Sequence, residues 1–295
     1  MTHPDYNSSA SIKDFLDKNG LAMQKKFGQN FLINEQARKK IIDALDVNQN
    51  TTVWEVGPGL GCMTDEILSR DASITVFEID KGFAGCVSQF FSDYEQNGKF
   101  NLVEGDVLKT WKGELERYKE KNGGRLPDRF FGNLPYNIAA TLIADTIEND
   151  VRFEKCVFTI QKEVAKRMTA QPGSDDYSSF SVLCSWAYDV SNIIDLSGAN
   201  FWPKPNVDSR AVLLTKKASF PNCENPKLFC KMQRALFSSR RKTIKNNLGI
   251  FLSSQDKAAE ALAKAELDPS LRAEVLSVEQ MLVLSDVLNK YIIKK

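Results

Sequence analysis

One histidine, His3, occurs in the 295 residues, and it sits almost at the N-terminus. A mechanism that needs an imidazole base, a histidine metal ligand or a Ser-His pair is thereby effectively removed. Cysteine is sparse as well: Cys62, Cys86, Cys156, Cys184, Cys223 and Cys230 are scattered without a C-x-x-C pair. That spacing argues against a zinc site and, at this length, against a disulfide framework, so the six read as reduced, mostly buried thiols, and no metal is expected. No apolar run approaches the roughly 20 residues of a membrane span. The first nineteen residues are polar and serine-rich, which predicts neither a secretory signal nor a span but a flexible tail on a cytoplasmic protein. Acids are missing where they count. Residues 225 to 255 hold seven Lys or Arg and no Asp or Glu, and Lys18, Lys25 and Lys26 fall in a second acid-free stretch between Asp17 and Glu35. A net charge of +1 would not suggest nucleic acid, but two basic patches flanking a more acidic middle do.

What is present is ordinary for a globular protein: 42% hydrophobic and 26% charged residues. From about residue 34 the pattern alternates between helix and strand. Asn34 is placed to cap a helix whose apolar side is Ala37, Ile41, Ile42 and Leu45. Strand-like runs rich in β-branched and aromatic residues follow at 52–56, 74–77, 100–103, 129–131 and 156–160, with helical segments between most of them. This predicts an α/β chain with a doubly wound, largely parallel sheet. The charged stretch 109–127, ending in Asn122-Gly123-Gly124, reads as a surface excursion. A Pro- and Asn-containing linker, 219–226, separates the sheet from a helical remainder in which Ser277 and Gln280 form a capping box. There is no internal repeat.

Chemistry gathers at the carboxyl ends of the predicted strands. Glu55-Val56-Gly57-Pro58-Gly59-Leu60-Gly61 closes the first and opens a helix, a turn that lets backbone approach a ligand. A dinucleotide fingerprint would require glycine at 62, where Cys62 stands, so NAD is the weaker reading. Glu78 ends the second strand and Asp106 follows the third. Carboxylates there suit a ribose diol and an adenine amine, and a ring of acids favours a cationic sulfonium over a pyrophosphate. S-adenosylmethionine fits best. Asn133-Leu134-Pro135-Tyr136 ends a later strand. Pro135 pushes Leu134 out of the α region, so its carbonyl can turn outward beside the Asn133 side-chain oxygen while Tyr136 offers a stacking face. Two acceptors and a ring suit the exocyclic amine of a nucleobase, and methyl transfer to nitrogen is the expected reaction. Each motif alone is compatible with a purely structural role; four matched strand ends make coincidence a poor account.

These residues resemble the KsgA family of small-subunit rRNA adenine dimethyltransferases, from about Lys25 to Leu288. Lys26-Phe27-Gly28-Gln29-Asn30-Phe31-Leu32 is similar to the family's N-terminal signature, which the resemblance implies folds over the methionine end of the cofactor through Asn30 and Leu32. The family's cofactor positions fall on Gly57, Gly59, Glu78, Asp106 and Asn133, and its N-L-P-Y catalytic loop on Asn133, Leu134, Pro135 and Tyr136. The segment 201–209 resembles an F-x-P-x-P-x-V-D-S loop, whose first aromatic, Phe201, is implied to sandwich the target base opposite Tyr136. The run 237–248 resembles an F-x-x-R-R-K-T-x-x-N-x-L element, implying an RNA contact by Arg240, Arg241, Lys242 and Lys245. Cys62, Met63 and the charged 109–127 stretch depart from common family sequences. The resemblance implies a Rossmann-like class I S-adenosylmethionine-dependent methyltransferase sheet with a smaller C-terminal α-helical domain, divided as tail 1–19, methyltransferase domain 20–218 and helical RNA-contacting domain 219–295. It also implies N6,N6-dimethylation of two adjacent adenines in the 3′-terminal hairpin of small-subunit (16S) rRNA. The expected partner is that rRNA or an immature 30S subunit, met by a monomer. Two rivals stand beside it: a macrolide-resistance methyltransferase of large-subunit rRNA, against which the 240–243 element speaks, and a ribosome-assembly factor acting mainly by binding.

Overall fold

Residues whose side chains are apolar on both faces of a strand can only be central in a sheet covered by helices, and this chain has several such runs. The computed structural model, which describes residues 2–24, 28–135 and 138–293, arranges them as expected. Its strands are β1 (Phe31–Leu32), β2 (Thr52–Val56), β3 (Ser73–Glu78), β4 (Phe100–Glu104), β5 (Arg129–Asn133), β6 (Lys155–Gln161), β7 (Tyr188–Leu196), β8 (Phe201–Trp202) and β9 (Ser209–Lys216). Its α-helices are α1 (Ser9–Lys18), α2 (Glu35–Leu45), α3 (Cys62–Leu68), α4 (Lys81–Phe90), α5 (Ser92–Gln96), α6 (Val107–Lys121), α7 (Ala139–Glu148), α8 (Lys162–Thr169), α9 (Ser179–Ala187), α10 (Pro226–Leu236), α11 (Ile244–Phe251), α12 (Gln255–Lys264) and α13 (Val278–Val287).

Seven strands form one sheet in the order β4-β3-β2-β5-β6-β9-β7, and β1 pairs with β8 in a separate antiparallel ribbon. The pairs β2–β3, β3–β4, β2–β5 and β5–β6 are parallel; β6–β9 is antiparallel. The chain runs outward through β2, β3 and β4 and then returns to lay β5 on the other side of β2. Strand order reverses between β2 and β5, and in open α/β sheets ligands bind at that switch point, beyond the carboxyl ends of the strands. The predicted strands therefore occur where expected to within a residue or two, while the two-residue β1 and β8 carry too little pattern to be anticipated.

The chain divides into two compact units, Met1–Leu142 with Arg152–Ala165 and Ser191–Thr215, and Ile143–Val151 with Lys166–Val190 and Lys216–Lys295. In the first, α2 is capped as predicted, Asn34 Oδ1 accepting from Ala37 N at 3.0 Å, and it buries Ala37, Ile41, Ile42 and Leu45. Two stretches differ from the sequence-based expectation. Residues 109–127 are mostly helix rather than a loop excursion, because Val107, Trp111 and Leu115 recur at helical spacing and are buried, and Asn122-Gly123-Gly124 merely ends α6. Residues 2–19, assigned by composition to a tail, contain α1. It is capped by Ser8 and buries Ile12, Phe15 and Leu16. In the second unit α9 to α13 enclose their own core, including Phe229, Met232, Leu236, Leu248, Leu262, Met281 and Leu284. The predicted capping box at the start of α13 is present. All six cysteines are free, four of them buried. Among the described residues no helix is long and apolar enough to cross a membrane, and no cluster of His, Cys, Asp and Glu could hold a metal.

Candidate active site

At the switch point β2 delivers Glu55 and Val56 into the turn Gly57-Pro58-Gly59-Leu60-Gly61, which feeds α3. Gly59 and Gly61 have φ of 58° and 84°, left-handed values that cost an L side chain about 1–2 kcal/mol. A Cβ on Gly61 would stand 2.6 Å from the Phe91 ring, and one on Gly59 would stand 3.0 Å from Phe31. Glycine is required there by backbone conformation and by close packing together.

Carboxylates surround this turn. Glu55 is buried, its Oε2 accepting from Thr64 Oγ1 at 2.6 Å. Burial pushes its carboxyl up to about 8, against that hydrogen bond, and neighbouring Glu78 adds to the rise. Glu78, the last residue of β3, accepts from Asp80 N at 2.8 Å and from Gly59 N at 3.4 Å. Burial pushes it up to about 7 despite those donors. Asp106, after β4, caps α6 by accepting from Leu108 N at 3.0 Å through Oδ1.

Across the crevice, the Asn133 side chain at the end of β5 donates from Nδ2 to the Asn30 carbonyl at 2.9 Å. Its Oδ1 accepts nothing among the described residues and is left to act as an acceptor. The next peptide is fixed by Leu134 N–H donating to the Thr159 carbonyl at 3.0 Å. The segment before β1 is tied down by Gln24 and Gln29, both donating to Asp80 Oδ2, at 2.8 and 3.0 Å. Arg38 of α2 donates to the Leu32 carbonyl at 2.7 Å.

Together these elements enclose a cavity of about 300 Å³, at the small end of ligand sites. Asn30, Leu32, Gly57, Gly59, Glu78, Asp106 and Asn133 all line it, as does Pro135. The fold thus brings every sequence-predicted cofactor residue to one place. Leu134 and Phe201 are not among the lining residues. Leu134 is buried, and Phe201, paired with Leu32 in the β1–β8 ribbon, is 5% exposed and packs in the apolar core. Tyr136 lies outside the described residues, as do Lys26 and Phe27 of the N-terminal signature. Sequence reasoning missed Thr159, Phe31 and Phe83, which also line the cavity. The register that sets Thr159 beside Asn133 is a property of the β5–β6 pairing, and no local pattern reports it. The lining residues suit S-adenosylmethionine: three carboxylates and no Lys or Arg border the cavity among the described residues. A pyrophosphate would find no positive side chain there, whereas a cationic sulfur favours the ionised forms of these carboxyls.

In the second unit the four basic residues have different settings. Arg240 is bound to Glu274, with nitrogens 3.1 Å from Oε2, and to the Asp175 carbonyl at 2.8 Å. Arg241 and Lys242 are exposed and Lys245 half-buried, with no ion-pair partner among the described residues. Thr243 begins α11 by accepting from Asn246 N at 3.3 Å, and buried Asn247 donates to the carbonyls of Leu236 and Ser239. Arg240, Arg241 and Lys242 thus precede the helix on a loop pinned from inside, and Lys245 lies in the first turn of α11.

Comparison with known proteins bears on what this site does. A family model described as "Ribosomal RNA adenine dimethylase" matches residues 20–290. The chain is 46% identical over 292 residues to "Ribosomal RNA small subunit methyltransferase A" of Treponema denticola, covering 98% of this chain and 97% of that one. It is 34% identical over 294 residues to the protein of the same name from Enterococcus faecalis, covering 97% and 98%. Among solved structures, a dimethyladenosine transferase from Plasmodium falciparum superposes with a TM-score of 0.71 at 25% identity, over 87% of this chain and 96% of that one. The 23S rRNA methyltransferase ErmE shares the fold, with a TM-score of 0.62 at 21% identity over 88% and 99%.

Proposed function

Since the chain belongs to the ribosomal RNA adenine dimethylase family, we propose that its cavity and the Asn133 loop together convert two adjacent adenines in the 3′-terminal hairpin of small-subunit rRNA to N6,N6-dimethyladenine. The enzyme is an S-adenosylmethionine-dependent rRNA adenine dimethyltransferase. Its substrate form is an immature 30S subunit, which it meets as a cytoplasmic monomer. The observation that carries this reading is the meeting of an acceptor side chain with the acid-lined cavity: Asn133, held by Asn30, faces the same space as Glu78 and Asp106.

S-adenosylmethionine, when bound, supplies an electrophilic methyl group on a positively charged sulfur. Gly57, Gly59, Glu78 and Asp106 would hold its nucleoside part, and Asn30 and Leu32 its methionine end. The remaining work is positional. Asn133 Oδ1 accepts one amine hydrogen of the adenine and the Leu134 carbonyl, assigned on the motif alone, the other, which draws the nitrogen lone pair out of conjugation with the ring. After one methyl has been added a single N–H remains, and one of the two acceptors is enough to orient it for the second transfer. The proton released each time passes to water, so alignment supplies most of the acceleration. Extraction of the base from its stack costs a few kcal/mol, offset by stacking of roughly 1–3 kcal/mol per base. Tyr136 takes that role in this reading on the motif alone. Arg241, Lys242 and Lys245 contact RNA phosphates, while Arg240 holds their loop to Glu274.

Mapping N6,N6-dimethyladenosine in rRNA from cells with and without this protein tests the proposal. The modification should vanish from two neighbouring adenines of the small subunit; its persistence there, or its loss from large-subunit rRNA instead, would refute it.

A further inference from the structure

The N-terminal segment, residues 2–19, stands outside every motif of the site, yet it reaches that site from behind. Ile12, Phe15 and Leu16 recur at helical spacing on α1 and are buried in a cluster with Phe31, Leu60, Phe83 and Cys86. Phe31 and Phe83 also line the cofactor cavity. The same two rings therefore pack against α1 and wall the cavity, so a shift of the helix is transmitted to the wall.

Two polar ties act on backbone. The Tyr6 hydroxyl donates to the Leu60 carbonyl at 2.9 Å, inside the glycine turn. Its ring lies flat against His3, centroids 4.9 Å apart and planes 9° from parallel. Asn7 Oδ1 accepts from one Arg38 nitrogen at 2.5 Å, while another donates to the Leu32 carbonyl at 2.7 Å. Asn7 thus fixes the guanidinium that holds β1. Leu60 and Leu32 are 1% and 4% exposed. Water has little access to replace a lost donor on either carbonyl.

We propose that Tyr6 and Asn7 are positioning residues for S-adenosylmethionine. Through the Leu60 and Leu32 carbonyls they set the glycine turn and β1 against the cofactor, and they do not touch the RNA or the reacting atoms. The inference rests on the cavity being the S-adenosylmethionine site. It goes beyond that reading by making residues 2–19 part of the site rather than a tail.

Full-length Tyr6→Phe keeps the ring and its stacking and removes only the hydroxyl; Asn7→Ala leaves Arg38 without its side-chain partner. Titration calorimetry with S-adenosylmethionine, steady-state methylation of small-subunit RNA and thermal melting are measured on both. Each variant should bind S-adenosylmethionine about fivefold more weakly, the factor corresponding to about 1 kcal/mol, and KM for S-adenosylmethionine should rise in step. At saturating S-adenosylmethionine kcat should stay within about twofold, with KM for RNA unchanged, the pattern of a lost binding contribution that the transition state shares. Unchanged affinity in both variants, or a fall in kcat and melting temperature without a change in affinity, would overturn the proposal. Failure of the wild-type protein itself to bind S-adenosylmethionine would overturn the cofactor reading beneath it.

Discussion

Replacing Asn133 by alanine separates the chemistry from the binding. Among the described residues the side chain makes one hydrogen bond, from Nδ2 to the Asn30 carbonyl at 2.9 Å, and its Oδ1 is the acceptor assigned to the adenine amine. Asn133 is only half-buried, so truncation opens no enclosed void and its effect is carried by hydrogen bonds. Loss of the Asn30 contact is worth about 1 kcal/mol, which loosens the N-terminal segment and weakens S-adenosylmethionine binding about fivefold. The acceptor has a larger effect because it acts where charge develops on nitrogen. Removing one preorganised hydrogen-bonding group from such a position costs roughly 10²–10³ in kcat, about 2.7–4 kcal/mol. A radiolabelled methyl-transfer assay on small-subunit RNA, run with saturating S-adenosylmethionine, should therefore show kcat down by at least about a hundredfold, with KM for RNA little changed. Near-normal turnover by Asn133→Ala under those conditions would refute the assigned role.

Further outcomes follow from the geometry. In the ligand-free protein Glu55 and Glu78 sit at about 8 and about 7 because they are buried. A cationic sulfur favours their ionised forms and so releases protons on binding; calorimetric affinity for S-adenosylmethionine should rise as pH climbs through 7 to 8, with a smaller slope for S-adenosylhomocysteine, whose sulfur is uncharged, and equal slopes would contradict the account. Because both values lie above the ordinary 4.5, the stability these groups contribute is fully present below about pH 4.5 and is lost as pH rises from there to about 8, so the ligand-free melting temperature should fall between pH 5 and pH 8 and level off above, and less so in Glu55→Gln. Gly61→Ala combines a left-handed φ of 84° with a Cβ 2.6 Å from the buried Phe91 ring, and thermal melting should register a loss of about 2–4 kcal/mol from strain and overpacking. Arg241→Ala with Lys242→Ala should weaken RNA binding and flatten its salt dependence by about two phosphate contacts while leaving the melting temperature alone. Arg240→Ala should instead lower the melting temperature, since it releases Glu274 and the Asp175 carbonyl; identical behaviour of the two variants would show that the basic residues are not divided in this way.

Much of the fold was legible because its signals are local. Strands buried on both faces read as short β-branched and aromatic runs, Asn34 and Ser277 announce helix starts through their caps, and the glycine turn is required by its own backbone angles. What misled was composition taken without periodicity. The charged surface of α6 hides the stripe Val107, Trp111, Leu115, and the serines near the N-terminus hide Ile12, Phe15 and Leu16. Phe201 shows a different limit: a motif states that an aromatic is needed, but the packing around its ring depends on the strand it pairs with, here Leu32 of β1.

The chemistry was legible along the chain: the only histidine at position 3, three acids at strand ends and an Asn-Leu-Pro-Tyr loop pointed to methyl transfer to an amine. Those facts follow from residue identity and spacing along the chain. Tertiary structure alone decided which groups act together. Thr159 beside Asn133, the Asn30 carbonyl on the Asn133 amide, Arg240 spent on Glu274, and Tyr6 holding a carbonyl 54 residues away are long-range pairings. Strand register and core packing set them, and neither is written in any single stretch of sequence.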